Sequence, residues 1–266
     1  MNGLRECVDV GLVFALGAEQ AGLVDHLRGM QIFDTAAGPV RRGMLPAADG
    51  EVRTVASIVS GPGRVAAAAA CEALLVGHRP RWVISAGFAG GLVDDLPRLT
   101  IVAADSFAGA SDESDEFVRR SLAQLGEGRR YIERVGPFVT VARIAAKSAD
   151  KQSLHAETRA IVCEMESSAV IEVCRARDVP ATAIRVVFDT VDEDLPTEVA
   201  RIFDQRSTPG KIGAVLGSLW RRPSTAKDLW NLHERSVDAA AALGNALIGI
   251  IAGLPKSNFP RQVEQS

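Results

Sequence analysis

The chain reads as an α/β protein, three-layer α/β/α with a central mixed sheet. Short apolar runs of strand length alternate with longer helical segments, the pattern of a sheet covered by helices. Two of the runs end in acidic residues, Ile161–Cys163 before Glu164-Met165-Glu166 and Ala181–Phe188 before Asp189. Glycine breaks and a hairpin-like interruption make the sheet mixed rather than purely parallel.

In chain order, Val8–Phe14 is predicted as the first strand and Ala18–Arg28 as the helix after it. Ile32–Leu45, broken by Gly38, Pro39 and Gly43, predicts a short hairpin. Val52–Val59 is the next strand and ends at Ser60-Gly61-Pro62-Gly63. The alanine-rich stretch Arg64–Val76 predicts a helix closed by Gly77 and Pro80. Trp82–Ala86 is a buried strand that runs into a glycine loop, Gly87-Phe88-Ala89-Gly90-Gly91. Leu99–Ala104 and Phe138–Ala142 are two further strands, with Asp112–Glu116 between them as an exposed loop and helix start. Ser167–Ala176 is helical. After Asp189, Thr190–Pro209 reads as irregular with a short helix, followed by helical Lys211–Leu219 and Thr225–Leu254. Residues 1–255 are expected to form a single domain and 256–266 a tail, with no repeat or linker dividing them.

With 266 residues the chain can bury a full core, and 47% hydrophobic and 24% charged residues describe an ordinary globular protein. A net charge of −3 gives no basic surface for nucleic acid. Cys7, Cys71, Cys163 and Cys174 are far apart with no C-x-x-C pair, so neither a disulfide frame nor a zinc site is expected, and a reducing, cytoplasmic setting is. His26, His78, His155 and His233 are equally scattered, and no metal is expected. Arg5, Glu6 and Asp9 precede only a short apolar run, which reads as a strand and not as a leader. The apolar run Ala239–Leu254 falls short of the roughly 20 residues that span a bilayer, so a buried or interface helix is expected.

The strand-end carboxylates carry the chemical signal, because ligands of open α/β sheets bind beyond the carboxyl ends of the strands. Acids placed there suit proton transfer and the gripping of hydroxyls. Each also has a plainer reading. Asp189 could cap the next helix, and Glu166 could sit at a helix N-terminus where negative charge is favoured. Gly61 and Gly63, between a strand and a helix, permit a sharp turn in front of a helix N-terminus. With Ala66 they satisfy a relaxed dinucleotide pattern, but the following strand ends Ile84-Ser85-Ala86-Gly87, without the acid such a site needs. Gly87, Gly90 and Gly91 either let a ligand approach the backbone or serve tight packing.

Taken together, five segments resemble, in register, the purine nucleoside phosphorylase and nucleosidase superfamily. They are Gly11–Glu19, Ser60–Ala68, Gly87–Leu92, Cys163-Glu164-Met165-Glu166, and the strand carrying Arg185 and Asp189. The core is most similar to methylthioadenosine/adenosylhomocysteine nucleosidases. The resemblance implies cleavage of an N-glycosidic bond. Asp189 would then be the general acid at the purine, Glu166 would hold the ribose hydroxyls, and Met165 would pack on the sugar. Glu19 would orient or deprotonate an attacking water, and Gly61, Gly63, Gly87, Phe88 and Ala89 would surround the nucleoside. No cofactor is implied, and phosphate is a possible co-substrate. The positions where phosphorylases hold phosphate resemble Ser85 and Phe88 here, however, and Phe88 cannot donate to an anion. Arg64 is left as either an anion ligand or a surface ion pair.

The segment Lys151–Thr158, with Arg185-Val186-Val187, Asp194-Leu195-Pro196 and Leu219–Pro223, resembles a narrower branch, the hopanoid-associated phosphorylases. That resemblance implies an adenosylhopane substrate and a lipid-linked 5′ group. Trp220, Arg221, Arg222 and Trp230 would then form an apolar channel or a weak peripheral membrane lip, or would simply pack the tail helices. The superfamily also implies a homo-oligomer, here expected as a homodimer.

Overall fold

The computed structural model describes residues 7–195 and 223–255, with the side chains of the last helix described from Leu232. The sheet is organised around β1 (Val10–Phe14), whose five residues are all buried. A strand covered on both faces belongs mid-sheet. It pairs in parallel with β4 (Val52–Val59) on one side and β5 (Trp82–Gly91) on the other. Beyond β4 lies the antiparallel hairpin of β2 (Arg28–Thr35) and β3 (Gly38–Pro46).

On the far side of β5 come β8 (Val162–Glu164), β7 (Arg134–Thr140), β6 (Ile101–Phe107) and β9 (Ala181–Asp189), and β9 pairs back onto β5. Among the described residues the mixed sheet has nine strands, and five of them close into a ring, β5-β8-β7-β6-β9. Two of its pairings are antiparallel, β5 with β8 and β6 with β9.

Helices cover both faces. On one, α2 (Arg64–His78), α3 (Asp112–Ala123) and α5 (Ser167–Arg175) bury Leu74, Phe117, Val170 and Ile171 against Val13, Val83 and Val187. On the other, α1 (Gly17–Val24) and α6 (Pro223–Ala252) bury Leu23, Leu243, Leu247 and Ile250 against Val10, Leu12, Ile84 and Val186. Alternate residues of β1 and β9 thus serve opposite cores, as the two-residue strand period requires. The remaining helix, α4 (Ser148–Thr158), sits beside the ring.

Leu232–Ala252 of α6 is long and apolar enough to cross a membrane, but half of it is packed inside the protein. Burying Leu247 and Ile250 completely stabilises its docking by about 1.5–3 kcal/mol each. α6 crosses α1 glycine to glycine: a Cβ on Gly22 would stand 2.2 Å from the Ala240 carbonyl oxygen, and one on Gly244 2.4 Å from Gly22.

Several elements differ from their sequence expectation. The first helix ends at Val24, and Arg28 already belongs to β2. The hairpin turns at Ala36-Ala37 because Thr35 closes the turn by donating to the Gly38 carbonyl at 2.6 Å, so Gly38 and Pro39 fall inside β3. Gly87–Gly91 is no loop. It remains strand because β9 pairs with β5 along nearly its whole length. The predicted Lys211–Leu219 helix, the Thr190–Pro209 stretch beyond Leu195, the tail 256–266 and Trp220-Arg221-Arg222 lie outside the described residues, as does the side chain of Trp230.

Candidate active site

The ends of β5, β8 and β9 and the starts of α1 and α5 surround one cavity of ≈ 360 Å³. Glu19, Phe88, Ala89, Met165, Glu166 and Asp189 all line it, together with Gly90, Cys163, Glu164 and Phe188. Val141, Ile144, Ala145, Leu195 and Leu232 give it an apolar wall. Gly87, Gly61 and Gly63 are not among the lining residues. Gly87 is small for another reason: a Cβ there would stand 2.7 Å from Glu19 Oε1. Gly61 and Gly63 turn the chain with positive φ (85° and 95°) ahead of α2, and the Gly63 N–H donates to Glu166 Oε1 at 2.7 Å.

Glu19 is the third residue of α1, and its side chain turns back on the helix start. Oε2 accepts from the Ala15 and Leu16 N–H groups at 3.0 and 2.8 Å, and Oε1 accepts from Phe88 N at 2.8 Å. An ionised carboxylate offers about four lone-pair sites, so one is left for a ligand or water. Burial pushes its pKa up, against the pull of those N–H groups and of Arg185.

Arg185, on β9 and 1% exposed, ties the acidic motif to the sheet. Its guanidinium donates to the Ser85 carbonyl (2.8 Å), Ser85 Oγ (3.2 Å) and Glu164 Oε2 (2.8 Å), and stands 3.9 Å from Glu166 Oε2. Glu164 is no surface acid. It also accepts from the N–H groups of Glu166 (2.9 Å) and Ser167 (2.7 Å) and from the Thr140 hydroxyl. These contacts fix the backbone that presents Met165 and Glu166. Glu166 itself is nearly unpaired in charge. Burial first, then the charge of Glu164, pushes it up to about 8, against Arg185 and the Gly63 N–H.

At the end of β9 the ladder with β5 slips, Ala89 facing Val187 and Gly90 facing Asp189. The extra residue is Phe188, a bulge that breaks strict alternation, so consecutive Phe188 and Asp189 both reach the cavity. Phe188 stacks on Phe88 with centroids 5.2 Å apart and planes 12° from parallel. Asp189 is 4% exposed, and burial pushes its pKa up while the ammonium of Lys151 pulls it down.

Lys151 was not a sequence candidate, since a lysine in a polar helical stretch reads as solvent-facing. Here it is fully buried, ion-paired with Asp189 Oδ2 and donating to the carbonyls of Thr190 (2.7 Å) and Glu193 (2.8 Å). Its one sequence trace is the Lys151–Thr158 segment noted above. Arg64 makes surface contacts, to Ser168 Oγ at 2.5 Å and Glu172 at 3.2 Å. Ser85 is held by Arg185 and Ser167. Among the described residues no group of three or more His, Cys, Asp or Glu side chains could hold a metal ion.

A cavity at strand ends thus sets buried acids beside a pair of stacked aromatics, hydrogen-bond acceptors next to a flat apolar surface. The family model of the phosphorylase superfamily matches residues 9–209, and the chain belongs to that superfamily. The 5′-methylthioadenosine/S-adenosylhomocysteine nucleosidases of Shewanella loihica and Shewanella sediminis are 24% and 26% identical to it, each match covering 71% of this chain and 89% of the relative. The fold is that of solved nucleosidases. The S. pneumoniae enzyme with the transition-state inhibitor MT-ImmA superposes with a TM-score of 0.67 at 17% identity, covering 93% of this chain and 100% of that one. The Neisseria meningitidis enzyme with methylthio-immucillin-A gives 0.65 at 19%, covering 92% and 99%. The chain is thus an enzyme with a nucleosidase-like core.

Proposed function

We propose that the protein hydrolyses the N-glycosidic bond of an adenine nucleoside carrying a bulky apolar 5′ group, the adenosylhopane class of substrate. The observation that carries the reading is the convergence of Asp189, Glu166 and Glu19 on one cavity that also holds the Phe88–Phe188 stack. The purine lies against those rings, and protonated Asp189 gives its proton to N7. The C1′–N9 bond breaks with its electron pair going to the base, which leaves as neutral adenine. In its ionised form, which predominates above about pH 8, Glu166 accepts from the ribose hydroxyls and faces the positive charge growing on the sugar. Water attacks C1′, and Glu19 takes its proton through the remaining lone-pair site of its carboxylate.

Water is favoured over phosphate as nucleophile on electrostatic grounds. Four carboxyl groups line the cavity, and no Lys or Arg is among its described lining residues. Ser85 and Arg64, the sequence candidates for an anion, are held by other groups. The wall of Val141, Ile144, Ala145, Leu195 and Leu232 supports the apolar 5′ group, as a small methylthio group covers less of such a lining and a zwitterionic homocysteine gains less from it. We also infer a homodimer, supported by Met30, Ile32 and Phe33 exposed along β2. Only monomer in light scattering would remove that part.

The test is adenine release from adenosine, methylthioadenosine and a 5′-alkyl adenosine, with and without phosphate. The expected result is faster cleavage of the alkyl substrate, with the free 5′-alkyl ribose as its sugar product and no dependence on phosphate. Equal rates on all three would leave a general nucleosidase. No adenine from any of them would overturn the reading.

A further inference from the structure

The ion pair between Lys151 and Asp189 has a property that ordinary buried pairs lack. An ammonium has three N–H donors and no acceptor. Lys151 donates two of them to the carbonyls of Thr190 and Glu193, and its charge pairs with Asp189 Oδ2. The side chain is 0% exposed, so its charge is held against one oxygen of a carboxyl that also lines the cavity. The same helix start grips the chain beyond β9 at further points. Ser148 N donates to Asp194 Oδ1 at 2.8 Å, Lys147 pairs with Asp194 at 3.0 Å, and the Ala146 carbonyl accepts from Leu195 N at 2.8 Å. The 190–195 turn is therefore anchored to α4 on one side and carries Leu195 to the cavity wall on the other.

We propose that Lys151 is the positioning residue of the leaving-group acid: it fixes the Asp189 carboxyl toward the base and sets the pH range over which that carboxyl carries its proton. The inference rests on the proposed reading of Asp189 as proton donor. Three other titratable or charged groups bear on Asp189. Cys163 of β8 lies beside it and stays a neutral thiol, pushed up to about 12 chiefly by burial. Glu193 in the turn opposes ionisation, Arg235 of α6 favours it, and Glu193 is itself paired with Arg98 and Arg235 at 3.7 and 3.5 Å. Lys151 is the one cation in direct contact with the carboxyl among the described residues.

The sign follows from charge. A general acid works protonated, so activity falls as pH rises through its pKa. A touching cation lowers that pKa. Removing it should carry the alkaline limb of kcat upward by about one to three pH units, the usual effect of a near opposite charge.

The experiment compares wild type, Lys151→Met, Lys151→Gln and Asp189→Asn on two substrates: a 5′-alkyl adenosine, whose base must be protonated to leave, and 4-nitrophenyl riboside, whose leaving group needs no proton. Gln keeps two donors without charge and serves if Met does not fold. On the nucleoside we expect Asp189→Asn to lose about 10²–10⁴-fold in kcat and the Lys151 variants about tenfold or more, with the alkaline limb displaced upward. Loss on the nitrophenyl substrate should be several-fold smaller for each. Equal losses on both substrates with an unmoved limb would reduce Lys151 to a structural pin and overturn the proposal. Wild-type turnover in Asp189→Asn would remove the proton donor itself, and the proposal with it. No adenine release by wild type would instead strike the function.

Discussion

Glu166 is a carboxyl that the fold holds where its charge is poorly tolerated, and this makes its contribution to stability measurable. Its pKa rises from the ordinary 4.5 to about 8, chiefly by burial and secondly by Glu164. Because the folded value lies above the unfolded one, the folded protein binds the extra proton between these limits. Its stability is fully present below pH ~4.5 and is lost as pH climbs toward and through about 8. Three and a half decades in the acid constant, at about 1.4 kcal/mol per decade, set a ceiling near 5 kcal/mol. Relaxation and water entry around a buried charge reduce the expectation to about 2 kcal/mol.

Glu166→Gln removes the ionisation and keeps an oxygen for the Gly63 N–H. The assay is thermal unfolding of both proteins from pH 5 to pH 9. The difference should be small at pH 5 and grow with pH, until the variant melts about 4–8 °C above wild type at pH 9. Above about pH 8, where wild-type Glu166 is ionised, turnover should move the other way, because on the proposed reading the variant loses the charged acceptor for ribose hydroxyls, a contact worth about 1.5–3 kcal/mol. Parallel melting curves across the whole range would refute the assignment of that buried charge.

Gly22→Ala should destabilise the protein by about 1–3 kcal/mol through overpacking at the α1–α6 crossing, read as a lower midpoint in urea. Phe88→Ala should raise KM for the nucleoside roughly tenfold with a smaller change in kcat, since on the proposed reading the ring stack binds base in ground state and transition state alike. Glu19→Gln should lower kcat by about 10²-fold or more while adenine still binds, which calorimetry can separate from a folding defect.

Much of the fold could be read from sequence because its central strands are largely apolar runs with a glycine or acid close behind, as Val10–Phe14, Val52–Val59 and Ala181–Asp189 are. The ring could not, because local pattern does not name a strand's partners: Val162–Glu164 is three residues long and pairs antiparallel with the end of β5. The glycine run was misread for a related reason. Glycine there admits Glu19 and Cys163 against a continuous strand, a need set by side chains far away in the chain. Glu166 and Asp189 stood out because acids at strand ends are rare enough to notice, whereas Glu19, on α1, was pointed to only by the family resemblance. Lys151 did not, since nothing in Ser148-Ala149-Asp150-Lys151 distinguishes a buried lysine from a solvated one; only the carbonyls of Thr190 and Glu193, 39 and 42 residues away, give it a reason to be inside.

The closed ring also bears on how such a protein can diversify. Every strand in it is hydrogen-bonded on both sides, so a slip of β9 by two residues would have to break its pairing with β5 and with β6 together. The spacing between Glu166 and Asp189 is thereby held by the ladders and not by the connections around them. The cavity wall, in contrast, is supplied from segments outside the ring: Ile144 and Ala145 ahead of α4, Leu195 past β9 and Leu232 on α6. Mutation can lengthen, shorten or repaint those segments without moving the acids. One inherited reaction centre can in this way be offered to nucleosides with very different tails.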